Sequence, residues 1–469
     1  MARWILLLHR YLGIAVGALM LMWCVSGVVM MYVSYPALGE HDRLEHLQPI
    51  AWQDCCKIAD ELRVDFKPGR VRIEMLGGRP VLFSGEDSRP IELSTGSRIE
   101  GISVDQAADV AKTFTAGNLP SAPQLLGLID RDQWTVSGEF NSERPLYRFG
   151  LVDAAGSELY VSSRTGRAVQ ITTARERFWN WLGAVPHWLY FTELRRHPEI
   201  WSQVVIIASL LGCFLAGIGI YLGIRQMGAQ PAGRWSPYVG FNLWHHMAGL
   251  TFGVFTLTWV LSGLLSMNPW GWLQGAGART ERAAIEGAPR SAADLAASLQ
   301  NLASAQPPAV SLQAAPLNGK IFFIASSAGG ERRRLNELGA SAPLGAAELQ
   351  FLAQAFRAGK PELVTQEDSY YFSHHRELAA LPVYRLVLAS GTRYYLDSVS
   401  GGLVAKLDAQ SRAYRWLHEG LHRLDFAAWM RTRPQWDLLM LLLMSGVTVV
   451  CATGAYLGYR RLTRSGFKS

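Results

Sequence analysis

Eleven histidines are spread over the 469 residues, and six of them fall beside long uncharged runs. His9, His245 and His246 open two such runs. His187, His418 and His422 lie a short way ahead of two others. Neutral imidazole is a common ligand for transition metals, and ionisable side chains in apolar surroundings are costly and tend to be functional. A single histidine at a helix end is more often an interfacial anchor or a satisfied polar group. Here, however, the pattern is written twice. Setting His9-Arg-Tyr-Leu-Gly13 over His245-His-Met-Ala-Gly249 aligns Gly17 with Gly253, Trp23 with Trp259, Ser26 with Ser262 and Gly27 with Gly263. Tyr221-Leu-Gly-Ile-Arg225 falls on Tyr456-Leu-Gly-Tyr-Arg460, and Trp201 on Trp436. Upstream, Trp181 falls on Trp416, His187 on His422, Leu189 on Leu424 and Phe191 on Phe426, with no gap inside either block.

Two copies that run the same way through a membrane imply a pseudo-twofold axis along its normal. Such an axis brings His9 opposite His245 and His187 opposite His422. Two imidazoles from neighbouring helices are what a six-coordinate haem iron needs, and bundle interiors commonly hold such cofactors. The expectation is two b-type haems, one for each pair. The alignment selects His245 over His246, whose counterpart is Arg10, and His422 over His418, whose counterpart is Gly183. His246 and His418 remain secondary candidates. His418 and His422 share a helix face, so zinc is a rival there, although only Glu419 stands nearby as a further ligand. Gly13, Gly17, Gly249 and Gly253 either clear room for a flat macrocycle or let helices pack closely. Trp23 and Trp259 lie about 21 Å along their helices from the ligand candidates, at 1.5 Å per residue. They either line the region near the second haem or anchor the helix at the interface.

The elements that must position these residues follow from charge. No Asp, Glu, Lys or Arg occurs over 11–39, 200–224, 235–278 or 438–459. Each run exceeds the roughly 20 residues that cross a hydrocarbon core, and with such composition only helices satisfy their own backbone there. Spans are expected at 1–33, 200–224, 242–267 and 436–459. Segments 34–199 and 268–435 lie outside the membrane, with a loop at 225–241 and a tail at 460–469. The first run is long for the apolar core of a signal peptide and lacks a cleavage pattern. Arg3 and Arg10, Arg225 and Arg234, and Arg460, Arg461, Arg464 and Lys468 flank the spans without acidic neighbours. Both termini and the loop therefore belong in the cytoplasm of a bacterial inner membrane and the long segments in the periplasm. The net charge of +7 suits anionic lipid and calls for no nucleic acid. The fold class is membrane α-helical: a duplicated four-helix transmembrane bundle with two periplasmic α+β domains.

The long segments align more loosely. Pro145-Leu-Tyr-Arg148 resembles Pro382-Val-Tyr-Arg385, and Tyr160 with Thr165-Gly166 matches Tyr395 with Ser400-Gly401. Alternating β-branched and aromatic residues predict strands at 80–84, 146–152, 158–162, 384–388 and 392–397. A Ser-Val-Asp-Gln start predicts a capped helix over 103–114, with a counterpart at 345–358, and a helix or two with linkers fill 275–316. Cys24, Cys213 and Cys451 fall in spans as small apolar residues. Cys55 and Cys56 are sequence neighbours, which rarely bridge to each other; they are a reactive pair, an intermolecular link or, as the favoured reading, plain core residues. Tyr371, His374, His375 and Arg376 form an aromatic and basic run suited to an anionic iron chelate, although the ordinary reading is that these are plain surface or core residues.

The His9-Arg-x-x-Gly13 start of a run ending Ser26-Gly27 resembles the PepSY-associated transmembrane family. So does Pro186-His187-x-Leu189 ahead of a run that closes with Gly-x-Tyr-Leu-Gly. Asp132-Gln-Trp-Thr135 and Tyr160-x-x-x-x-Thr165-Gly166 are similar to its PepSY modules. The resemblance covers nearly the whole chain. It implies an iron-regulated inner-membrane protein of Gram-negative bacteria, of a type that includes haem-containing reductases of iron–siderophore complexes. It implies ligand roles for His9, His245, His187 and His422. The chain departs from the pattern at His418-Glu-Gly-Leu-His422, where the first copy has Gly183-Ala-Val-Pro-His187, and in the Ala-rich insert after the third span. The expected activity is electron transfer across the bilayer to Fe(III) in a siderophore chelate, from a cytoplasmic or membrane donor. No Gly-rich dinucleotide fingerprint stands in the short loops to name that donor. The alternative is a membrane-anchored module that binds an envelope protein or a metallophore without redox chemistry. A transporter is disfavoured, because the spans lack the acidic residues and broken helices of a midplane substrate site.

Overall fold

A computed structural model describes residues 2–57, 71–85, 89–115, 121–228, 235–288, 291–373 and 378–465. Arg234, Lys468, His374, His375 and Arg376 lie outside the described residues. The chain divides into two compact units. One is helical and comprises Met1–Tyr35, Phe178–Gly275 and Ala409–Ser469; the other is strand-rich and comprises Pro36–Arg177 and Ala276–Asp408.

The helical unit is built on four long helices. The first span is Ala2–Met30, the second Pro198–Gly228, the third Gly240–Ser266 and the fourth Gln435–Ser465. Each is long and apolar enough to cross a membrane. At 27 to 31 residues they measure roughly 40–46 Å, against about 30 Å of hydrocarbon. The first span packs against the second and fourth, and the third packs against the same two. The first and third spans are therefore diagonal partners across the bundle. Small residues let neighbouring backbones approach. A Cβ on Gly17 would stand 3.8 Å from Ala455 Cα, and one on Gly253, its counterpart, 3.0 Å from Ile220 Cγ1. These two glycines serve helix packing. A Cβ on Gly249 would meet nothing within 4 Å.

In the strand-rich unit the first segment runs β1 (Val71–Leu76), β2 (Arg79–Ser84), β3 (Ile91–Glu92), β4 (Ser97–Arg98), β5 (Gln124–Ile129), β6 (Leu146–Gly150), β7 (Glu158–Ser162) and β8 (Ala168–Thr172). The second runs β9 (Ser311–Ala314), β10 (Phe323–Ser326), β11 (Arg332–Leu335), β12 (Glu362–Val364), β13 (Val383–Val387), β14 (Arg393–Asp397) and β15 (Leu403–Leu407). Each segment keeps an antiparallel sheet of its own, β5–β8 and β12–β15. The remaining strands join in one seven-stranded sheet of order β11-β10-β9-β1-β2-β3-β4. The junction is β1 against β9, with Ile73 opposite Leu312. Ile73, Leu82, Leu295, Leu299, Leu302, Leu312 and Phe323 form its core, drawn from both segments. The helix Ala292–Ala305 supplies three of those leucines, and a Ser291–Asp294 capping box starts it. The helix Val104–Phe114 begins in the same way at Ser103 and Gln106.

Each separate sheet carries the same staple. Asp132 Oδ1 accepts from Trp134 N and Thr135 Oγ1, and its Oδ2 accepts from Tyr160 OH at 2.8 Å. Asp368 Oδ1 accepts from Tyr370 N and Tyr371 N, and its Oδ2 from Tyr395 OH and Arg385 Nη1, both at 2.7 Å. One carboxylate thus closes a turn and pins it to the central tyrosine of the sheet. The expectation for Cys55 and Cys56 is corrected in one respect. They pack against the shared core, but they are bonded to each other as a disulfide.

Candidate functional site

Inside the helical unit the histidines meet in two pairs. His9 on the first span faces His245 on the third, with ring centres 6.2 Å apart. His187 faces His422, also at 6.2 Å. A metal–imidazole bond of about 2 Å, with roughly 1.2 Å more from nitrogen to ring centre, sets two opposed ligands of one metal about 6.4 Å apart. Both pairs have that separation.

Which ring nitrogen is free decides whether an imidazole can ligate. His187 Nδ1 lies 3.1 Å from Trp23 O, a group that only accepts, so Nδ1 carries the proton. Ser26 Oγ, also 3.1 Å from Nδ1, donates its own hydrogen to Met22 O and accepts from the imidazole. His422 Nδ1 donates to Ser262 Oγ at 2.9 Å, while that hydroxyl donates to Trp259 O. His245 Nδ1 donates to Val450 O at 3.1 Å. In all three the Nε2 lone pair is left for a metal, and the second nitrogen is held as metal-binding histidines usually are. His9 Nδ1 has Leu215 O, the counterpart of Val450 O, as its backbone neighbour but forms no bond of good geometry.

His246 is the opposite case. Its Nε2 donates to Gly223 O at 3.0 Å and its Nδ1 accepts from Ser236 Oγ at 2.7 Å. Both nitrogens are used, so it is a buried structural histidine. His418 Nδ1 donates to Ser262 O at 3.0 Å, and its ring centre lies 5.4 Å from that of His422. It buttresses the ligand candidate from the same chain segment. Among the described residues no group of three or more His, Cys, Asp or Glu gathers into a metal site, so the shell that zinc takes does not form there.

Glycines and serines shape the walls. A Cβ on Gly219 would stand 2.8 Å from His9 Cε1, and one on Gly454 3.1 Å from His245 Cε1. On the second pair, Gly27 comes 3.4 Å from His187 Cε1 and Gly263 4.0 Å from His422 Cε1 by the same measure. Ser26 and Ser262, and Gly219 and Gly454, stand in repeated motifs, but their bearing on the rings was not apparent from sequence.

His187 and His422 ride on matching turns. Each turn ends two residues on in a left-handed leucine, Leu189 at φ +52° and Leu424 at φ +54°. Tyr190 N donates to Val185 O at 2.8 Å, and Asp425 N to Gly420 O at 3.1 Å. Trp201 Nε1 donates to Trp188 O at 2.9 Å, and Trp436 Nε1 to Arg423 O at 2.8 Å. A left-handed leucine costs roughly 1–2 kcal/mol. Both side chains are buried, which returns about 2–5 kcal/mol over a truncated residue. Leucine therefore stands where glycine would be easier for the backbone. Burial holds the His187 imidazole down at about 4 and the His422 imidazole at about 3, the latter helped by His418. Both rings are neutral at physiological pH, as ligation requires.

Tyr371 stacks on Tyr395 at 5.0 Å and donates to Ala380 O. It is part of a sheet staple in the strand-rich unit.

Four apolar helices and separate antiparallel sheets define a multi-pass membrane protein with α+β domains. The chain belongs to the PepSY-associated TM region family, whose model matches residues 6–461. No curated protein and no solved structure matches it.

Proposed function

We propose that this chain is an inner-membrane, haem-containing reductase that passes electrons across the bilayer to ferric iron in a siderophore chelate in the periplasm. The observation that carries the reading is the pair of facing histidines, seen twice at 6.2 Å, with the Nε2 lone pairs of His187, His245 and His422 unclaimed among the described residues. His9 and His245 would hold one b-type haem and His187 and His422 the other. When bound, iron with two imidazole ligands supplies one-electron chemistry at a potential set by its surroundings.

The chain's own part is to orient and to dry the site. Trp23 O, Ser26, Ser262 and Val450 O hold the protonated nitrogens and fix the rings. Gly219 and Gly454 let the first pair lie against the neighbouring spans. The repeated contacts support a duplicated bundle with a pseudo-twofold axis. Basic residues at Arg3, Arg10, Arg225, Arg460 and Arg461 favour cytoplasmic termini and a periplasmic strand-rich unit. The electron donor would then be cytoplasmic or in the membrane.

The test is the absorption spectrum of the purified protein, oxidised and dithionite-reduced, with a pyridine haemochrome count. Two low-spin b-type haems per chain are expected, together with reoxidation of the reduced protein by a ferric hydroxamate. A colourless protein made with ample haem would overturn the reading and leave a membrane-anchored binding module.

A further inference from the structure

Two indole donors inside the bundle have no acceptor among the described residues. Trp23 Nε1 and Trp259 Nε1 are both shielded from solvent and unpartnered among the described residues. They occupy matching positions, one in each sequence copy. Leaving such an N–H unpaired is costly, and buried donors in native proteins nearly always find a partner. Finding the same orphan twice argues against an accident of side-chain placement. An interfacial anchor would keep its indole N–H in the wet headgroup layer. These two are instead packed on the interior cluster of Met20, Val447 and Cys451.

The neighbourhood narrows what the acceptor is. Trp23 O already receives the Nδ1 proton of His187. Val450, whose carbonyl receives that of His245, adjoins Cys451 of the cluster on which both indoles pack. Both indoles are therefore next to the residues that orient the ligand histidines.

We infer that the indole N–H groups of Trp23 and Trp259 donate hydrogen bonds to an acceptor oxygen of a group bound within the bundle, most simply a carboxylate of the haem. This rests on the proposed haem reading. Each tryptophan thereby acts twice, through its carbonyl or its neighbours on the ligand and through its ring on the bound group. A donor to a haem carboxylate offsets negative charge near the iron and favours the reduced state.

The test compares wild type with Trp23→Phe and Trp259→Phe, which keep the ring and the backbone carbonyl but lose the N–H. Redox titration should show, for one haem in each variant, a reduced-to-oxidised ratio at fixed potential roughly 2- to 10-fold lower, as loss of one hydrogen bond implies. Ultraviolet resonance Raman of the wild type provides a readout that needs no variant: the indole N–H signature should shift when haem is added to the haem-free protein. Two haems per chain with unchanged titrations in both variants, and an unmoved indole signature, would overturn this inference while leaving the haem reading intact. A wild-type protein without haem would overturn both.

Discussion

The two histidine-bearing turns share a backbone and differ in what surrounds it. Val185–Tyr190 and Gly420–Asp425 repeat the same closing bond, the same left-handed leucine and the same tryptophan clamp. Around the first turn the shell is aromatic. Tyr35, Trp188, Tyr190 and Trp201 meet in tilted or edge-on contacts at 5.1–6.0 Å, and Arg195 lies over Tyr190 and Trp201. Around the second it is ionic. Buried Arg415 pairs with Asp425 at 3.0 Å and with Glu419 at 3.5 Å, and Arg431 also pairs with Asp425. The approach differs too. Gly183 breaks the chain ahead of His187, whereas Arg415–Gly420 is a π-helix that brings His418 beside His422. The constant features are those that aim an imidazole. The variable ones set polarity around it, so the two ligands of one metal would sit in unequal fields.

That contrast can be broken at its root by removing ligands. His187→Ala or His422→Ala should each abolish one haem of two, and His9→Ala or His245→Ala the other. His246→Ala should abolish neither. A haemochrome count decides it. The next largest effect is expected at Asp425. Asp425→Ala removes the nearer of the two carboxylates paired with buried Arg415 and should cost about 3 kcal/mol of stability, measured by thermal unfolding in detergent. Tyr190→Phe, in the aromatic shell, should cost less than about 1 kcal/mol.

Gly219→Val and Gly454→Val would drive a side chain into His9 and His245. Haem at the first pair should then weaken at least tenfold while the second is retained, as read by haem titration. Ser262→Ala should weaken the second haem more than Ser26→Ala does, roughly 5-fold against 2-fold. His187 keeps Trp23 O as a full acceptor, whereas Ser262 is the principal partner of His422. The smallest effect concerns pH. Burial raises the Asp368 carboxyl, but hydrogen bonds from Tyr395, Tyr370, Tyr371 and Arg385 outweigh it and hold the group below its usual range. The stability it contributes is present above about pH 4 and is lost as pH falls through the lowered value. Asp368→Asn should flatten that acid limb in a melt series.

Much of this geometry was legible in the chain. Uncharged runs located the spans, because hydrocarbon tolerates no free backbone and little charge. The alignment that set His245 over His9 chose the histidine whose Nε2 is free, and it left His246 opposite Arg10. Ser103 and Gln106 announced a capped helix, and one forms there. Other features were not legible. Nothing local in Gly219 or Gly454 says that an imidazole rests on it, since each contact comes from a neighbouring span far away in sequence. The Asp132 and Asp368 staples needed the fold of each sheet before their tyrosines came within reach. The bond between Cys55 and Cys56 went against the ordinary rule for sequence neighbours. The pairing of β1 with β9 links two segments whose patterns each read as complete.

That last pairing sets a timetable for biosynthesis. From Val71 to the first residue of β9 at Ser311 the chain runs 240 residues. At about 5–20 residues per second the ribosome needs roughly 12–50 s to cover that interval. Until β9 arrives, β1 has an open edge of the kind that invites mispairing, and half of the shared core has no partner. The intermediate second and third helices must also be made in that interval. The nascent protein therefore passes through a half-finished state that a chaperone or the membrane itself must tolerate, and a ribosome stalled late in the second span would release a product with a sticky strand.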